Sequence, residues 1–366
     1  MKTITEILGG GQALLDVNFN LQNCFEEYLS DEYKTFLHIL RVAEEFLPKY
    51  VRPKRKTGRP PYQYYPFIRS MLGKLFFAEA TTSGFIQRLK GDPNLRLLCG
   101  FRKVPDASTF SRVFSYLAEE GLWGTALEEL VKKAHEGMVV YHNCRDSTMI
   151  QAREKVSEKP GKKAEKPKKK RGRPRKGAVK QPKEPTELEK QITEDPQVSL
   201  EKLNKHCSFG SKKNSHGNVE FTKGYKLHLD VSDCGFPLTA VITGANVHDS
   251  QLAIPMEKLT GSKVTFCYSL MDSAYDAKTI EEYIRSCERV PIIDVNKRKN
   301  KDRPGLDPAK QERYKIRTTV ERTYSHLKDN LIPKAIYVKG YTKVSFVIMA
   351  SVFCLAIIKY LHHFVC

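Results

Sequence analysis

The sequence predicts an α/β protein, in which a mixed sheet flanked by helices follows a helical N-terminal region. Three observations predict this class. Residues 1 to about 135 carry apolar side chains at helical spacing, the chain after His216 alternates between strand and helix patterns, and a hairpin comes first in that alternation. Because hairpin strands are antiparallel and β-α-β strands are parallel, the sheet should contain both orientations.

The helical region is clearest in two apolar runs, residues 36–47 and 67–76. Between them, the segment from Lys49 to Arg59 holds six basic residues, and the two prolines that follow stop any helix. Such a loop is either simply solvated or contacts DNA. Residues 108–112 begin a helix and either cap it or touch DNA phosphates. The residues that we expect to contact DNA in this region are Lys54, Arg55, Arg59 and Arg112.

A low-complexity basic insertion is expected at residues 153–215. From Arg153 to Lys183 the chain holds 15 Lys or Arg against three Glu, a net charge of +12, with four prolines and almost nothing apolar. Such a stretch cannot bury a core, so we expect it to be disordered or loosely ordered. Its centre, KKKRGRPRK, is typical of minor-groove hooks, here with Arg171 and Arg173, although a plain basic linker is the alternative.

The second half of the chain is predicted to contain a hairpin at residues 224–243 and strands at 264–271 and 290–295. Helices are predicted at 278–287, at about 308–330 and at the chain end. The last helix contains Val344 to Ile358, 15 uncharged residues, which is short of the ~20 that a membrane span needs. We therefore expect residues 341–366 to form an apolar helix packed on the core, with no membrane partner.

The charge balance points to a polyanionic partner. The 366 residues carry 62 Lys and Arg against 42 Asp and Glu, a net charge of +20, and the pI is near 9.4, which favours nucleic acid. Nine scattered cysteines with no C-x2-C pair argue against disulfides and structural zinc and indicate a reducing, cytoplasmic compartment. His206, Cys207 and His216 likewise lack a fourth ligand at zinc spacing.

Two aspartates occupy positions where α/β proteins place their sites. Asp272 directly follows the strand at 264–271, and Asp146 follows a strand from about Met138 to Arg145 whose second half is polar for a central strand. Both would lie at the carboxyl edge of the sheet. For either residue alone, a turn or helix-cap aspartate is the alternative. Asp249, in NVHDS, is expected to cap the following helix.

Four polar residues share one face, roughly 60° wide, of the helix predicted at 308–330: Tyr314, Arg317, Glu321 and Lys328. An apolar stripe about 90° away would pack on the sheet, and it consists of Ile316, Val320, Tyr324, Leu327 and Leu331. Arg317 and Glu321 could simply form a surface salt bridge. Combined with the two aspartates, however, Glu321 would complete a set of hard oxygen ligands for two Mg²⁺ ions that promote phosphoryl displacement, with Arg and Lys holding phosphates.

Four motifs in this order resemble the DDE transposases of bacterial insertion sequences, specifically the IS-four/IS-five superfamily. They are RDSTMIQA around Asp146, the hairpin KGYKLHLDVSDCGFPLTAVITGANVHDS, LMDSAYDA around Asp272, and YKIRTTVERTYSHLK, which matches the family's Y-R-E-K signature at every defined spacing. In the N-terminal part, GRPPY, LLCGF and VPDASTFSRVFSYL resemble the family's end-binding region.

The resemblance implies a ribonuclease-H-like catalytic domain at 136–340 behind a DNA-end-binding region at 1–135. It implies that Asp146, Asp272 and Glu321 form the metal-binding catalytic triad, while Tyr314, Arg317 and Lys328 support the site and contact DNA phosphates. It further implies a bacterial, nucleoid-associated homodimer that uses Mg²⁺, with Mn²⁺ as a substitute, to cut double-stranded DNA at terminal inverted repeats and to transfer the 3′ ends to target DNA. A related nuclease without strand transfer and a non-catalytic DNA-binding protein are the alternatives.

Two departures from the family pattern matter. Only 48 residues separate Asp272 from Glu321, so the large β-rich insertion that some relatives carry there is absent. Trp123, the single tryptophan, lies in an amphipathic helix and is expected in the core, so the sequence does not support a hairpin intermediate on a base-stacking tryptophan.

Overall fold

The sheet that organises the protein has six strands. In the computed structural model, residues 28–49, 63–156, 185–213, 217–296 and 304–365 are described. The strands are β1 (Val139–Gln151), β2 (Ser208–Lys213), β3 (Val219–Val231), β4 (Pro237–Gly244), β5 (Thr265–Met271) and β6 (Val290–Ile293). Lys54, Arg55, Arg59, Arg171, Arg173 and His216 lie outside the described residues.

Both strand orientations occur in this sheet, as predicted. The spatial order is β2-β3-β1-β5-β6, and β4 pairs with β3 beside β2. The pairs β1–β3, β2–β3 and β3–β4 are antiparallel, whereas β5 runs parallel to both β1 and β6. The hairpin of β3 and β4 turns at Ser232–Gly235, where Gly235 has a φ of 79°, a left-handed conformation that favours glycine.

Within the described residues, six helices precede the sheet: α1 (Asp31–Phe46), α2 (Tyr65–Phe76), α3 (Thr82–Gly91), α4 (Pro93–Cys99), α5 (Ala107–Glu119) and α6 (Leu122–Ala134). Several begin at side chains suited to capping. Ser30, Thr81 and Asp92 each accept a hydrogen bond from a backbone N–H in the first turn of the following helix. The predicted helical region over residues 1–135 is therefore helical in its described part.

The remaining helices surround the sheet: α7 (Glu187–Thr193), α8 (Pro196–Glu201), α9 (Ala253–Gly261), α10 (Lys278–Ser286), α11 (Pro308–Tyr314), α12 (Thr318–His326) and α13 (Tyr341–Tyr360). Short 3-10 turns at Asp249–Leu252 and Ser273–Tyr275 lead into the α9 and α10 regions. Helix α12 packs against β1 and β3, which places its residues beside the carboxyl end of β5.

Helix α13 is the centre of the hydrophobic core. It is long and apolar enough to cross a membrane by length and composition, but most of it is buried inside the protein. It packs on α2, α5 and α6 on one side and on β4 on the other. Trp123 is buried between Phe346 and Phe353 of this helix, with ring centroids 5.5 and 5.6 Å away, which confirms its prediction as a core residue. The helical region and the sheet therefore share one core.

The predicted insertion at 153–215 is shorter than expected. Residues 187–201 form α7 and α8, and β2 joins the sheet at Ser208–Lys213, so only 157–184 within that range, together with residues 214–216, lie outside the described residues. The sequence contained local signals for these helices. Thr186 and Glu189 form a reciprocal capping box, and Asp195 followed by Pro196 begins α8.

The prediction of a single regular α-helix at 308–330 is wrong. Helix α11 ends at Tyr314, a 3-10 turn covers Lys315–Arg317, α12 follows, and a π-helical turn covers Leu327–Leu331. A 100° rotation per residue therefore does not describe the whole segment. Most of the apolar stripe is nevertheless placed as predicted, because Val320, Tyr324, Leu327 and Leu331 are buried, whereas Ile316 is only half-buried.

The polar half of β1 is stabilised by a buried ionic network behind the sheet. The Arg145 guanidinium, fully buried, donates from Nε to Asp230 Oδ1 (2.6 Å) and from Nη2 to Asp230 Oδ2 (2.7 Å) and Glu257 Oε2 (3.2 Å). Asn143 Nδ2 also donates to Asp230 Oδ2, at 3.1 Å. Because paired charges can be buried where single ones cannot, this network explains how a polar sequence forms a central strand.

Candidate active site at the carboxyl edge of the sheet

Asp146 and Asp272 lie side by side on neighbouring strands. Cys144 on β1 is paired with Leu270 on β5 in a parallel ladder, and both aspartates come two residues later. Side chains two residues apart point to the same face of a strand. Asp272 lies just past the end of β5, where its carboxylate accepts a hydrogen bond from Ala274 N at 3.0 Å and caps a 3-10 turn. Asp272 has its predicted position, but Asp146 lies inside β1 and not after it, because β1 continues to pair with β3 as far as Gln151.

Arg317 joins Asp146 to Glu321. Its Nη2 donates to Asp146 Oδ2 at 3.2 Å, and its Nη1 donates to Glu321 Oε1 at 2.6 Å. The guanidinium is mostly buried, whereas the Glu321 side chain is 55% exposed. The helix salt bridge that the sequence offered as the alternative is therefore present, and through Arg317 it extends to the strand aspartate.

Tyr324 fixes the position of Asp146 from the same helix. Its hydroxyl donates to the backbone oxygen of Asp146 at 2.6 Å and accepts from Leu229 N at 3.1 Å, so it bridges β1 and β3 one turn beyond Glu321. The Asp146 side chain accepts a further hydrogen bond from Ser147 N at 2.8 Å. These contacts hold the carboxylate on rigid elements, as a catalytic group requires.

The single Arg317 guanidinium does not offset the effect of burial on the pKa values of the two aspartates. Burial raises the pKa of Asp146 to about 6, although the Arg317 guanidinium acts in the opposite direction. Burial likewise raises the pKa of Asp272, and Arg317 again opposes the change. For Arg317, burial favours a lower pKa, but the attraction of Asp146 and its other neighbours outweighs it and raises the pKa. One guanidinium does not neutralise the carboxylates around it.

Asp249 does not cap a helix, so that prediction is wrong. His248 accepts the hydrogen bond from Ser250 N at the start of the 3-10 turn. The Asp249 carboxylate instead accepts from Lys226 Nζ at 3.0 Å and lies 3.7 Å from Nδ1 of the buried His228. Its negative charge contributes to the raised pKa of Asp146. The Asp249 carboxylate therefore pairs with Lys226 instead of capping the following 3-10 turn.

The donor chemistry at Asp146 and Asp272 fits a divalent metal ion. Carboxylate oxygens are the ligands that hard cations prefer, and a buried carboxylate with a raised pKa gains stability from a nearby cation. Within the described ranges, no three His, Cys, Asp or Glu side chains are grouped closely enough to hold a metal ion. Glu321 belongs to the site through Arg317 and is not grouped directly with the aspartates.

The other predicted contact residues differ in their placement. Tyr314 is half-buried beside Arg317, whose guanidinium carbon lies 5.9 Å from the ring centroid, and burial raises the pKa of Tyr314 to about 12. Lys328 lies in the π-helical turn and lines a neighbouring cavity. Arg112 is exposed on α5, far along the chain from the site, and its side chain contacts Ser108 O and Thr109 Oγ1 of its own helix.

Sequence reasoning missed several residues that organise this site. Arg145 and Asp230 support β1, Tyr324 anchors Asp146, and Lys226 holds Asp249. One signal was available, since charged residues in the strand patterns around Arg145 and Asp230 indicate a paired buried charge. Tyr324 was predicted to face the sheet, but its hydroxyl contacts depend on the register between β1 and β3.

Comparison with known proteins identifies the family. Residues 141–357, more than half of the chain, match the transposase DDE domain, and residues 23–116 match a second transposase domain, DUF772. Neither curated proteins nor solved structures gave a match. The DDE match contains both aspartates, Arg317 and Glu321. The chain therefore belongs to the DDE transposases of insertion sequences, which are metal-dependent DNA-cleaving enzymes.

Proposed function

We propose that this transposase cuts DNA at the terminal inverted repeats of its own element and transfers the freed 3′ ends to target DNA. The observation that carries the proposal is that Asp146 and Asp272 each come two residues after the paired Cys144 and Leu270 of adjacent strands, with Arg317 linking Asp146 to Glu321. The antiparallel β4-β3-β1 followed by parallel β5 and β6 supports a ribonuclease-H-like core. The acting form is a homodimer, because two element ends must be handled together.

In this proposal Asp146, Asp272 and Glu321 hold two Mg²⁺ ions, for which Mn²⁺ can substitute. Bound at these carboxylates, the ions would supply Lewis acidity for in-line displacement at a phosphodiester. Glu321 joins the aspartates by turning away from Arg317, a rotation that its exposed side chain permits. Arg317, released from Glu321, then offers its free N–H groups to a phosphate oxygen.

The residues around the triad orient the DNA. Tyr314, Arg317 and Lys328 contact phosphates near the cleaved bond, and the helical region at 1–135 recognises the element end, with Lys54, Arg55, Arg59 and Arg112 among its contacts. The basic segment containing Arg171 and Arg173 adds affinity through counterion release. The protein works in the cytoplasm, on DNA of the nucleoid.

The decisive experiment is a strand-transfer assay with a pre-cleaved repeat end, a target plasmid and Mg²⁺. We expect joined product from the wild-type protein. Glu321→Gln should abolish cleavage and joining while DNA binding in EDTA stays within about twofold of wild type, since the substitution preserves the shape of the side chain but weakens metal binding. The matched control is Glu312→Gln, an exposed glutamate on α11 that pairs with Lys315 and lies outside the site.

Each other outcome decides against the proposal. Nicking without joined product would identify a nuclease without strand transfer. Activity unchanged by both Glu321→Gln and Asp146→Ala would show that the carboxylates are not catalytic and would favour a DNA-binding protein. A truncated protein lacking residues 1–135 that still selects repeat-containing DNA would refute the role given to the helical region.

A further inference from the structure

A cavity of about 730 Å³ lies beside the catalytic edge of the sheet. Its walls come from the end of α2 and the following loop, from Met149–Gln151 at the end of β1, and from residues 328–335 after α12. Asp146, Asp272, Arg317 and Glu321 do not line it. A volume of this size is typical of a ligand site, and residues of both the helical region and the catalytic domain line the cavity.

Lys74 projects into this cavity from α2 without an anionic partner in contact. Its side chain is only 5% exposed, yet among the described residues its ammonium group forms neither a hydrogen bond nor an ion pair. The nearest influence is Glu79, which itself pairs with Arg88 at 3.5 Å. Burial lowers the pKa of Lys74 to about 8. An unpaired buried ammonium is costly, so this position favours a bound anion.

Lys328, an exposed residue of the π-helical turn, contributes a second cation to the cavity lining. It lies seven residues after Glu321, and within the described residues its ammonium likewise has no carboxylate in contact. Burial and repulsion from Lys212 on β2 lower its pKa. Of the acidic residues in the lining, Glu79 pairs with Arg88, whereas Asp329 accepts from the neutral Ser325 Oγ at 2.7 Å and keeps its charge. Three lysines, Lys74, Lys328 and Lys334, line the cavity against these two carboxylates, so its formal net charge is positive.

We propose that the cavity binds a backbone phosphate of the DNA strand that leaves the catalytic site, held between Lys74 of the helical region and Lys328 of the catalytic domain. The compact ammonium of lysine suits a phosphate oxygen as a point charge. Lys74 is thus a DNA-binding residue that the motifs did not single out. This inference rests on the proposed function, because the strand is taken to continue from the Asp146 and Asp272 carboxylates. Its consequence is that the helical region and the catalytic domain contact the same DNA strand.

The test compares DNA binding by Lys74→Met and Lys74→Arg with wild type. The probe is a fluorescent random-sequence duplex, measured by anisotropy in EDTA between 50 and 200 mM salt. Loss of one phosphate contact should lower the slope of log affinity against log salt by about 0.9, so the advantage of wild type should shrink about 3.5-fold across that range. Lys74→Arg should keep the slope. Lys278→Met is the control, since Lys278 is exposed on α10 and pairs with Glu282.

Thermal unfolding excludes a merely structural role for Lys74. Replacing an unpartnered buried ammonium with an apolar side chain of similar length should leave the melting temperature unchanged or higher. A slope unchanged in Lys74→Met would overturn the inference, and so would melting temperatures that fall in both Lys74→Met and Lys74→Gln. If one of these variants does not fold, the other carries the same slope prediction.

A separate arm distinguishes a DNA phosphate from free phosphate. Inorganic phosphate at millimolar concentration should stabilise wild type no more than Lys74→Met, whereas the duplex should stabilise wild type more. Greater stabilisation of wild type by phosphate alone would identify a small-anion site and refute a strand contact. Because these measurements need no chemistry, a protein that binds as expected but joins no DNA would refute the proposed function alone. If the wild-type protein joins DNA but the salt slope of Lys74→Met equals that of wild type, this inference alone would be refuted.

Discussion

Replacing Asp146 with Asn should stabilise the protein in the absence of divalent metal, although it removes a carboxylate that we propose to be catalytic. Burial raises the pKa of Asp146 from 3.8 to about 6, so ionising this group costs more in the folded than in the unfolded chain. The difference corresponds to about 3 kcal/mol of lost stability at pH 7. The asparagine side chain carries no charge and avoids this cost, so the variant should be more stable by up to about 3 kcal/mol.

The gain should depend on pH in a defined direction. Between pH 6 and 4 the folded protein holds a proton on Asp146 that the unfolded chain releases, so wild-type stability from this group rises as the pH falls through that window. The advantage of Asp146→Asn should therefore shrink to roughly half of its pH 7 value at pH 5 and should be small at pH 4. Below pH 4 both forms are neutral and the difference should vanish.

Urea unfolding followed by circular dichroism, in EDTA at pH 7, 5 and 4, measures this effect. Asp106→Asn is the control, since Asp106 is exposed and its side chain makes no capping hydrogen bond, and it should change stability by less than about 0.5 kcal/mol. Adding Mg²⁺ at ten times its dissociation constant should raise wild-type stability by about 1.4 kcal/mol and Asp146→Asn far less. A variant less stable than wild type at pH 7, or an advantage that does not depend on pH, would refute the reasoning.

Two further predictions concern the scaffold and the basic segment. Arg145→Met should destabilise the protein by about 3–5 kcal/mol in urea unfolding, because Asp230 and Glu257 lose their buried partner. The control, Arg285→Met on exposed α10, should cost only about 0.3–0.5 kcal/mol. A loss of stability below about 1 kcal/mol in Arg145→Met would contradict the importance of the network. Replacing residues 157–184 with a Gly/Ser linker of equal length should flatten the salt dependence of binding to all duplexes similarly and leave Mg²⁺-dependent chemistry intact. A selective loss on A·T-rich duplexes would show minor-groove reading, and an unchanged slope would exclude both roles.

Much of the fold could be predicted because its signals are local. The hairpin of β3 and β4, the strand ending at Asp272 and the buried closing helix follow from alternation, turn residues and apolar runs that neighbouring residues decide among themselves. The spacing of Arg317 and Glu321 likewise fixed their helix salt bridge. Errors arose where local patterns were extended too far. The segment at 308–330 changes between α, 3-10 and π-helical forms. The helices within 187–201 were not predicted, because they follow a low-complexity stretch.

The sequence by itself determined the family and the candidate site residues, because the motif spacings around Asp146, Asp272 and Glu321 are properties of the chain. Only the tertiary structure decided how these groups are used. Arg317 reaches Asp146 across 171 positions of sequence, Asp249 turns from its helix to Lys226, and Lys74 is left unpaired in a cavity. Such contacts depend on strand register, helix packing and burial, which set the distances and local dielectric that determine the energy of a charge. No pattern of neighbouring residues encodes these distances.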